Sequence, residues 1–225
     1  MTTLGRFGVG IISAILLTAA VLAKPPAAQA RVFTIKPGER IDYINSTGDN
    51  KFCTIGHVYT GSDLHVYAVT AGHCRNSTSG YVRSQASGQT GTFLRTIVDP
   101  PSGGGADYGL IDFGTDPQAG AFIGDIPTGY RHPEPELGQT VCRTGVSSGQ
   151  HCGTIVARHG RDQYLTTGMP SSIPGDSGGP VWTRNGNGTA QILGIWLGEK
   201  ISAATGIEYG RFASLTEGMR LLGAG

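Results

Sequence analysis

The chain has 225 residues, of which 37 are glycine and 15% are charged, and its formal net charge is +1. Charges of both signs are scattered without a basic stripe or an acidic tail, which argues against nucleic acid or an anionic membrane as the main partner. Abundant glycine and few charges favour many short strands joined by tight turns over long amphipathic helices, and the length allows one large domain or two small ones.

The first thirty residues predict a secretory signal peptide. Arg6 supplies a positive start, residues 8–23 form an uncharged apolar run, and Ala28-Gln29-Ala30 has the small-x-small pattern that signal peptidase cuts. The apolar run has about 16 residues, fewer than the roughly 20 that span a bilayer, which disfavours a membrane anchor. We therefore expect residues 1–30 to be removed, and the mature protein to be exported to the cell envelope or the medium without stable membrane insertion.

Residues 31–115 contain short apolar or alternating runs separated by Gly, Pro, Asn and Ser, which predict the strands of an N-terminal β-barrel. The predicted strands include Phe52–Thr60, Leu64–Thr70, Thr92–Val98 and Tyr108–Phe113. Residues 116–137 contain several prolines and no periodic pattern, so they are interpreted as a connector between two barrels.

Residues 138–225 repeat the pattern of short strands and predict a C-terminal barrel. Its predicted strands are Thr140–Arg143, His151–Val156, Tyr164–Gly168, Pro180–Thr183, Gln191–Leu197 and Ile207–Phe212. The tetrapeptide at 214–217, Ser-Leu-Thr-Glu, is a capping-box pattern, and Gly223 is placed to end the helix that this box begins. The sequence therefore predicts an all-β fold with one short C-terminal helix.

Four cysteines in an exported chain are expected to form disulfides, because that compartment is oxidising. Three pairings are possible. The two short-range pairs, Cys53 with Cys74 and Cys142 with Cys152, would place one bridge in each half and are favoured. No Cys-x-x-Cys pair supports a zinc site, and no other pattern indicates a metal or a cofactor.

The run at 175–180 reads Gly-Asp-Ser-Gly-Gly-Pro and carries the strongest chemical signal. Clustered glycines let backbone N–H groups converge on one point beside a serine, as a developing oxyanion requires, although a polar serine in an ordinary glycine-rich turn is the alternative. The run also fits the nucleophile elbow of α/β-hydrolases, which needs a histidine after the serine. All six histidines precede Ser177, so chain order excludes that arrangement.

A serine hydroxyl needs a base to take its proton, normally an imidazole. His73 is the best candidate, because a predicted strand delivers it to a loop where a bridge from Cys74 would hold it. The imidazole in turn needs a carboxylate. Asp107 enters an apolar strand where an unpaired charge would be costly, so it is expected to have a partner; Asp99 and Asp112 are the competing carboxylates.

Together, the segments 70–74 (Thr-Ala-Gly-His-Cys), 107–111 (Asp-Tyr-Gly-Leu-Ile) and 175–180 resemble the histidine, aspartate and serine motifs of the chymotrypsin-like, or trypsin-like, serine peptidases. The resemblance implies two six-stranded antiparallel Greek-key β-barrels with the active site in the cleft between them. It assigns Ser177 as nucleophile, His73 as general base and then acid, and Asp107 as orienting carboxylate. It also places the oxyanion hole at the N–H groups of Gly175 and Ser177.

The likeness extends to small bacterial secreted enzymes such as the streptogrisins and α-lytic protease, whose second-barrel bridge the segments around Cys142 and Cys152 resemble. It implies an ion pair between Arg143 and Asp176 that holds the oxyanion loop. The implied function is that of a monomeric, secreted, bacterial endopeptidase acting on proteins or peptides without a cofactor or a metal.

The resemblance also locates a primary substrate pocket, whose expected residues are Ser171, Ser172, Ile173, Leu197, Gly198 and Glu199. The absence of an acidic residue near Ser171 disfavours a strict preference for Arg or Lys and favours a medium-sized apolar side chain, unless Glu199 or Glu208 points inward. Leu197 stands where relatives usually carry a serine that supports the carboxylate. A catalytically weak or inactive homologue that serves as an extracellular binding module is therefore the alternative function, and an exported esterase is a third.

Overall fold

The computed structural model describes Thr2 and residues 32–48, 50–99 and 104–224. The predicted signal peptide lies outside these residues except for Thr2, so it stays a prediction. The chain divides into a unit of residues 1–31 and a unit of residues 32–225, and both halves of the fold belong to the second unit. Among the described residues, no helix has the length and apolar character that crossing a membrane requires.

The first half is a curled antiparallel sheet of seven strands in the order β3-β2-β6-β7-β8-β5-β4. A two-residue strand, β1 (Thr34–Ile35), precedes it. The seven strands are β2 (Arg40–Asn45), β3 (Asn50–Thr54), β4 (His57–Thr60), β5 (Val66–Thr70), β6 (Gly80–Ser84), β7 (Thr90–Val98) and β8 (Asp107–Asp112). The strands β3 and β4 form its two edges although only two residues separate them in the chain, so the sheet bends until its edges nearly meet.

This curled sheet corresponds to the predicted first barrel, and it has seven strands because the predicted strand Phe52–Thr60 is interrupted at Ile55 and Gly56 and so is divided into β3 and β4. The amide of Ile55 donates to Glu39 O at 2.9 Å, whereas the amide of Gly56 donates to Val69 O at 2.8 Å. A side chain at position 56 would also collide with Ile195 of the second half. The backbone thus changes its hydrogen-bond partners from one strand to another at the place where the two halves touch.

Residues 116–137, the expected connector, hold three two-residue strands: β9 (Gln118–Ala119), β10 (Phe122–Ile123) and β11 (Ile126–Pro127). The first pairs in parallel with β1, and the other two pair with each other.

The second half is a closed barrel of six antiparallel strands in the order β12-β13-β14-β17-β16-β15, which confirms that part of the predicted fold. The strands are β12 (Thr140–Gly145), β13 (Gly149–His159), β14 (Gln163–Thr167), β15 (Pro180–Arg184), β16 (Ala190–Ile201) and β17 (Glu208–Ser214). Burial alternates along β12, and Val141, Arg143 and Gly145 are the buried positions. The period of two in a strand therefore places an arginine in the barrel interior.

A single α-helix, α1 (Leu215–Leu222), follows the second barrel as predicted. The Ser214 hydroxyl accepts from the amide of Glu217 at 3.4 Å, and Gly223, with φ 66°, ends the helix in the left-handed conformation. Gly218 lies against the ring of Tyr108 in β8, where a larger residue would collide. The phenol oxygen of Tyr108 is also 2.8 Å from Ser214 O. These contacts attach the strand that begins at Asp107 to the second half.

Candidate active site

His73 lies in a one-turn 3₁₀ segment, Gly72–Cys74, that follows β5. Gly72 lets this turn approach β7 and β8 closely, because a Cβ there would collide with their carbonyl oxygens. A disulfide from Cys74 to Cys53 ties the turn to β3, and Lys51 Nζ donates to His73 O at 2.6 Å. The backbone around the imidazole is therefore held from both sides.

Asp107 receives two hydrogen bonds from His73. The backbone amide of His73 donates to Asp107 Oδ1 at 2.9 Å, and His73 Nδ1 lies 2.7 Å from Asp107 Oδ2. Because a carboxylate only accepts, Nδ1 carries the proton in this arrangement and Nε2 keeps its lone pair. Burial raises the pKa of Asp107, but the hydrogen bonds and charge of His73 outweigh it and lower this pKa below its usual value.

The competing carboxylates have other partners. Asp112 pairs with His65 Nδ1 at 3.0 Å, and Asp99 accepts from the amide of Ala106 at 2.9 Å. Only Asp107, of the three candidates, meets His73.

The loop that carries Ser177 packs directly against the histidine turn. Ser177 O accepts from the amide of Thr54 at 2.9 Å and lies 3.9 Å from the sulfur of Cys74. A Cβ on Gly178 would collide with Thr70 at the end of β5, so only glycine allows this approach. The segments that carry the predicted residues thus come from opposite halves of the fold and pack against each other at the junction.

Two backbone N–H groups next to the serine have no acceptor among the described residues. Pro174 O accepts from Ser147 Oγ at 2.7 Å, which turns the N–H of Gly175 the opposite way across the planar peptide. Gly175 itself has φ 103°, a conformation that favours glycine. Among the described residues, neither Gly175 N nor Ser177 N donates to any acceptor, so both remain available to an oxygen ligand.

Asp176 holds this loop from inside the second barrel. Its carboxylate forms a fully buried ion pair with Arg143 at 3.1 Å. It also accepts from the amides of Ser147, Ser148 and Ile173 at 3.0–3.1 Å. Burial raises the pKa of Asp176, but the hydrogen bonds, led by the Ser148 hydroxyl at 2.6 Å, lower it below its usual value. Arg143 also donates to Ser148 Oγ and to Pro170 O. The buried guanidinium therefore connects β12 to the serine loop at two points, Pro170 and Asp176.

The Ser177 hydroxyl is not hydrogen-bonded to His73, and no other described residue bonds to it. Catalytic hydrogen bonds are often long in proteins without substrate and tighten when substrate binds.

Two clefts are lined by residues that the sequence predicted for the site. The first, of about 290 Å³, is lined by His73, Asp107 and Leu197 together with Val98, Asp99, Gly105, Gln163 and Arg211. The second, of about 120 Å³, is lined by residues 166–171, Glu199, Glu208 and Gly210.

The expected pocket residues divide between these places. Ser171 and Glu199 line the smaller cleft, and Ser172 bonds to Glu199 from its amide at 2.6 Å and its hydroxyl at 2.9 Å. Leu197 lies in the larger of these two clefts. Ile173, which is half exposed, and Gly198 line neither of the two.

Thr166 and Arg211 line these clefts but were not among the residues that the sequence predicted for the site. Both lie on strands whose pairing decides what they face: Thr166 pairs with Gly210 across β14 and β17, and Arg211 pairs with Leu165 there and with Gly198 across β16 and β17. No local pattern in the sequence marks either position.

Comparison with known proteins agrees with this architecture. The sequence model of the trypsin family matches residues 43–217. The uncharacterised protein Rv1815 of Mycobacterium tuberculosis is 36% identical over 196 residues, which cover 80% of this chain and 81% of that protein. Serine protease 2 of Streptomyces fradiae is 29% identical over 166 residues, 68% of this chain and 90% of that protein.

A solved structure, that of Thermobifida fusca protease A, shares the fold with a TM-score of 0.62 and 24% identity, over 84% of this chain and 96% of that one. The matched residues 43–217 include the histidine turn, the strand that begins at Asp107 and the serine loop. This chain belongs to the trypsin family of serine proteases.

Proposed function

We propose that this protein is an exported serine endopeptidase that cleaves peptide bonds through an acyl-enzyme formed on Ser177. The observation that carries the proposal is the double hydrogen bond from His73 to the buried Asp107, in a turn against which the Ser177 loop packs. Membership of a protease family supports the same reaction class.

The groups present supply each step of acyl transfer. Ser177 Oγ attacks the carbonyl carbon while His73 Nε2 takes its proton, and Asp107 stabilises the imidazolium that results. The negative charge that develops on the carbonyl oxygen is met by the N–H groups of Gly175 and Ser177. His73 then gives its proton to the leaving amine, and water releases the acyl group by the same sequence in reverse.

Export is supported by the two disulfides, Cys53–Cys74 and Cys142–Cys152, which suit an oxidising compartment. They are the two short-range pairs expected, with one in each half. The predicted signal peptide leads to the same compartment.

A second function, that of an inactive homologue acting as a binding module, is favoured by one observation. Leu197 lines the cleft beside His73 and Asp107, is 5% exposed, and offers no side-chain hydrogen bond to the carboxylate. In this part of the structure Asp107 receives side-chain and backbone hydrogen bonds from His73 alone.

A fluorophosphonate probe separates the two functions. We expect the purified mature protein to be labelled on Ser177, faster at pH 8 than at pH 5 because the base must be unprotonated. Ser177→Ala should abolish labelling, whereas Ser46→Ala, which removes an exposed hydroxyl of the first half, should leave the rate unchanged.

Absence of labelling above pH 7 in a folded sample would refute the peptidase and favour the binding module. Turnover of matched peptide and ester substrates then distinguishes an endopeptidase from an esterase: hydrolysis of the ester alone contradicts the proposal.

A further inference from the structure

The smaller of the two clefts carries two carboxylates and is here called the acidic cleft. It lies between the end of β14 with the loop that follows it, residues 166–171, and the paired strands β16 and β17, which contribute Glu199, Glu208 and Gly210. Glu199 is half-buried, and Glu208 is exposed at the rim.

Residues 166–171, which line the acidic cleft, lead along the chain into the loop that carries Ser177. The wall of the cleft at Pro170 is fixed by the hydrogen bond from Arg143 Nη2 at 3.1 Å, the same guanidinium that pairs with Asp176. On the other wall, β16 runs from Leu197, in the cleft with His73, to Glu199 in the acidic cleft. A substrate residue whose carbonyl lies at Ser177 therefore has its side chain within reach of this cleft.

Neither Glu199 nor Glu208 forms an ion pair with another described residue. Glu208 Oε1 accepts from Ser171 Oγ at 2.9 Å, and Glu199 accepts from the amide and the hydroxyl of Ser172. These donors are uncharged, and among the described residues no lysine, arginine or histidine lies within 4.0 Å of either carboxylate as an ion pair. Two like charges on neighbouring strands are stabilised by a cation placed between them.

A buried hydroxyl at the base of the cleft points to the same kind of occupant. Thr166 is 1% exposed, and its Oγ1 has no hydrogen-bond partner in the described part of the chain. An unpaired buried polar atom is costly, and native proteins rarely leave one without a partner. A Cβ on Gly210, which pairs with Thr166, would collide with Thr166 Oγ1, so the hydroxyl lies against a residue that has no side chain to bond it.

We propose that the acidic cleft is the primary specificity pocket and that it takes the cationic side chain of an arginine or a lysine. Guanidinium and ammonium groups only donate hydrogen bonds, and the cleft presents acceptors to them: two carboxylates and the Thr166 hydroxyl. An apolar side chain would leave these groups unpaired, and an acidic one would be repelled. The negative charge of the cleft comes from Glu199 on β16 and Glu208 on β17, whereas position 171 carries an uncharged serine.

The proposal rests on the proposed function and is tested first by turnover. Peptides that differ only in the residue before the cleaved bond, arginine against its neutral isostere citrulline and lysine against norleucine, isolate the charge. We expect kcat/KM to favour the charged member by about tenfold or more. Glu199→Gln and Glu208→Gln should each reduce that ratio, whereas Glu136→Gln, an exposed carboxylate outside the cleft, should not.

A binding measurement keeps the pocket separable from catalysis. Ser177→Ala protein is titrated with butylguanidinium and with its neutral counterpart butylurea, followed by amide chemical shifts or calorimetry. Binding of the cation in preference to the urea, lost in the Ser177→Ala/Glu199→Gln double variant, supports the pocket even if Ser177 proves unreactive and the peptidase function fails.

Two results overturn the proposal. One is labelling of Ser177 by fluorophosphonate together with equal turnover of the arginine and citrulline peptides, which leaves the peptidase function standing. The other is equal or absent binding of butylguanidinium and butylurea.

Discussion

The two halves of the molecule hold their site residues in different ways. In the first half, the groups proposed to react are also the groups that hold the site: His73 and Asp107 bond to each other through both side chain and backbone. In the second half, the residue that holds the loop is Asp176, next to the proposed nucleophile, and it is buried in an ion pair with Arg143. The Ser177 hydroxyl itself has no hydrogen-bond partner among the described residues. Changes at His73 or Asp107 should alter rate more than stability, whereas changes at Arg143 or Asp176 should lower stability and, through the serine loop, activity with it.

Asp107→Asn tests the first side of this comparison and has the largest expected effect. An amide cannot fix the imidazole tautomer or stabilise its charged form, so kcat should fall by about 10⁴-fold, with little change in the unfolding midpoint. Steady-state kinetics and urea unfolding of the same preparation measure both. Asp112→Asn, which breaks the other aspartate–histidine pair of β8, is the matched control and should leave kcat unchanged. A loss of less than tenfold for Asp107→Asn contradicts the assignment.

Arg143→Met tests the second side. It leaves the carboxylate of Asp176 buried without its cation, so the free energy of unfolding should fall by about 3–5 kcal/mol, and activity should fall with it as the serine loop relaxes. Chemical denaturation measures the change. Arg220→Met, which removes the exposed partner of Glu217, is the control and should have little effect. If both variants unfold at the same denaturant concentration, the ion pair does not hold the loop.

The smallest expected effect concerns His57, in β4 of the first half. Its ring is buried and contacts that of His132, with centroids 4.4 Å apart, and burial followed by the charge of His132 lowers the pKa of His57 to about 3. Between about pH 3 and the usual imidazole value, the unfolded chain binds more protons than the folded one. Stability is therefore present above this window and is lost as the pH falls through it, with a slope of about 1.4 kcal/mol per pH unit.

His57→Phe should remove that slope from urea unfolding measured between pH 4 and 6. His65→Gln gives the opposite sign, because the hydrogen bond that His65 donates to Asp112 raises the pKa of His65, and its contribution to stability is lost as the pH rises. An unchanged pH dependence in His57→Phe would place the acid sensitivity elsewhere.

Features that depend on neighbours along the chain were predictable from the sequence. The cap at Ser214, the helix end at Gly223 and the glycine-rich serine loop all rest on contacts a few residues apart. The predicted strand Leu64–Thr70 begins instead at Val66, since Leu64 lies in a turn with φ 68°. The strands β2 and β6 were not among those predicted, because their short, mixed polar and apolar segments acquire order from the strands beside them.

The order of His73, Asp107 and Ser177, and the chemistry that this order suggests, followed from the sequence alone, because a nucleophile, a base and a carboxylate are recognised by residue type and local setting. The contact between His73 and Asp107, and the position of Glu199 and Glu208 beside Thr166 in one cleft, were decided only by the tertiary structure. Strand pairing brings together residues far apart in the chain, and burial and charge compensation depend on those distant neighbours.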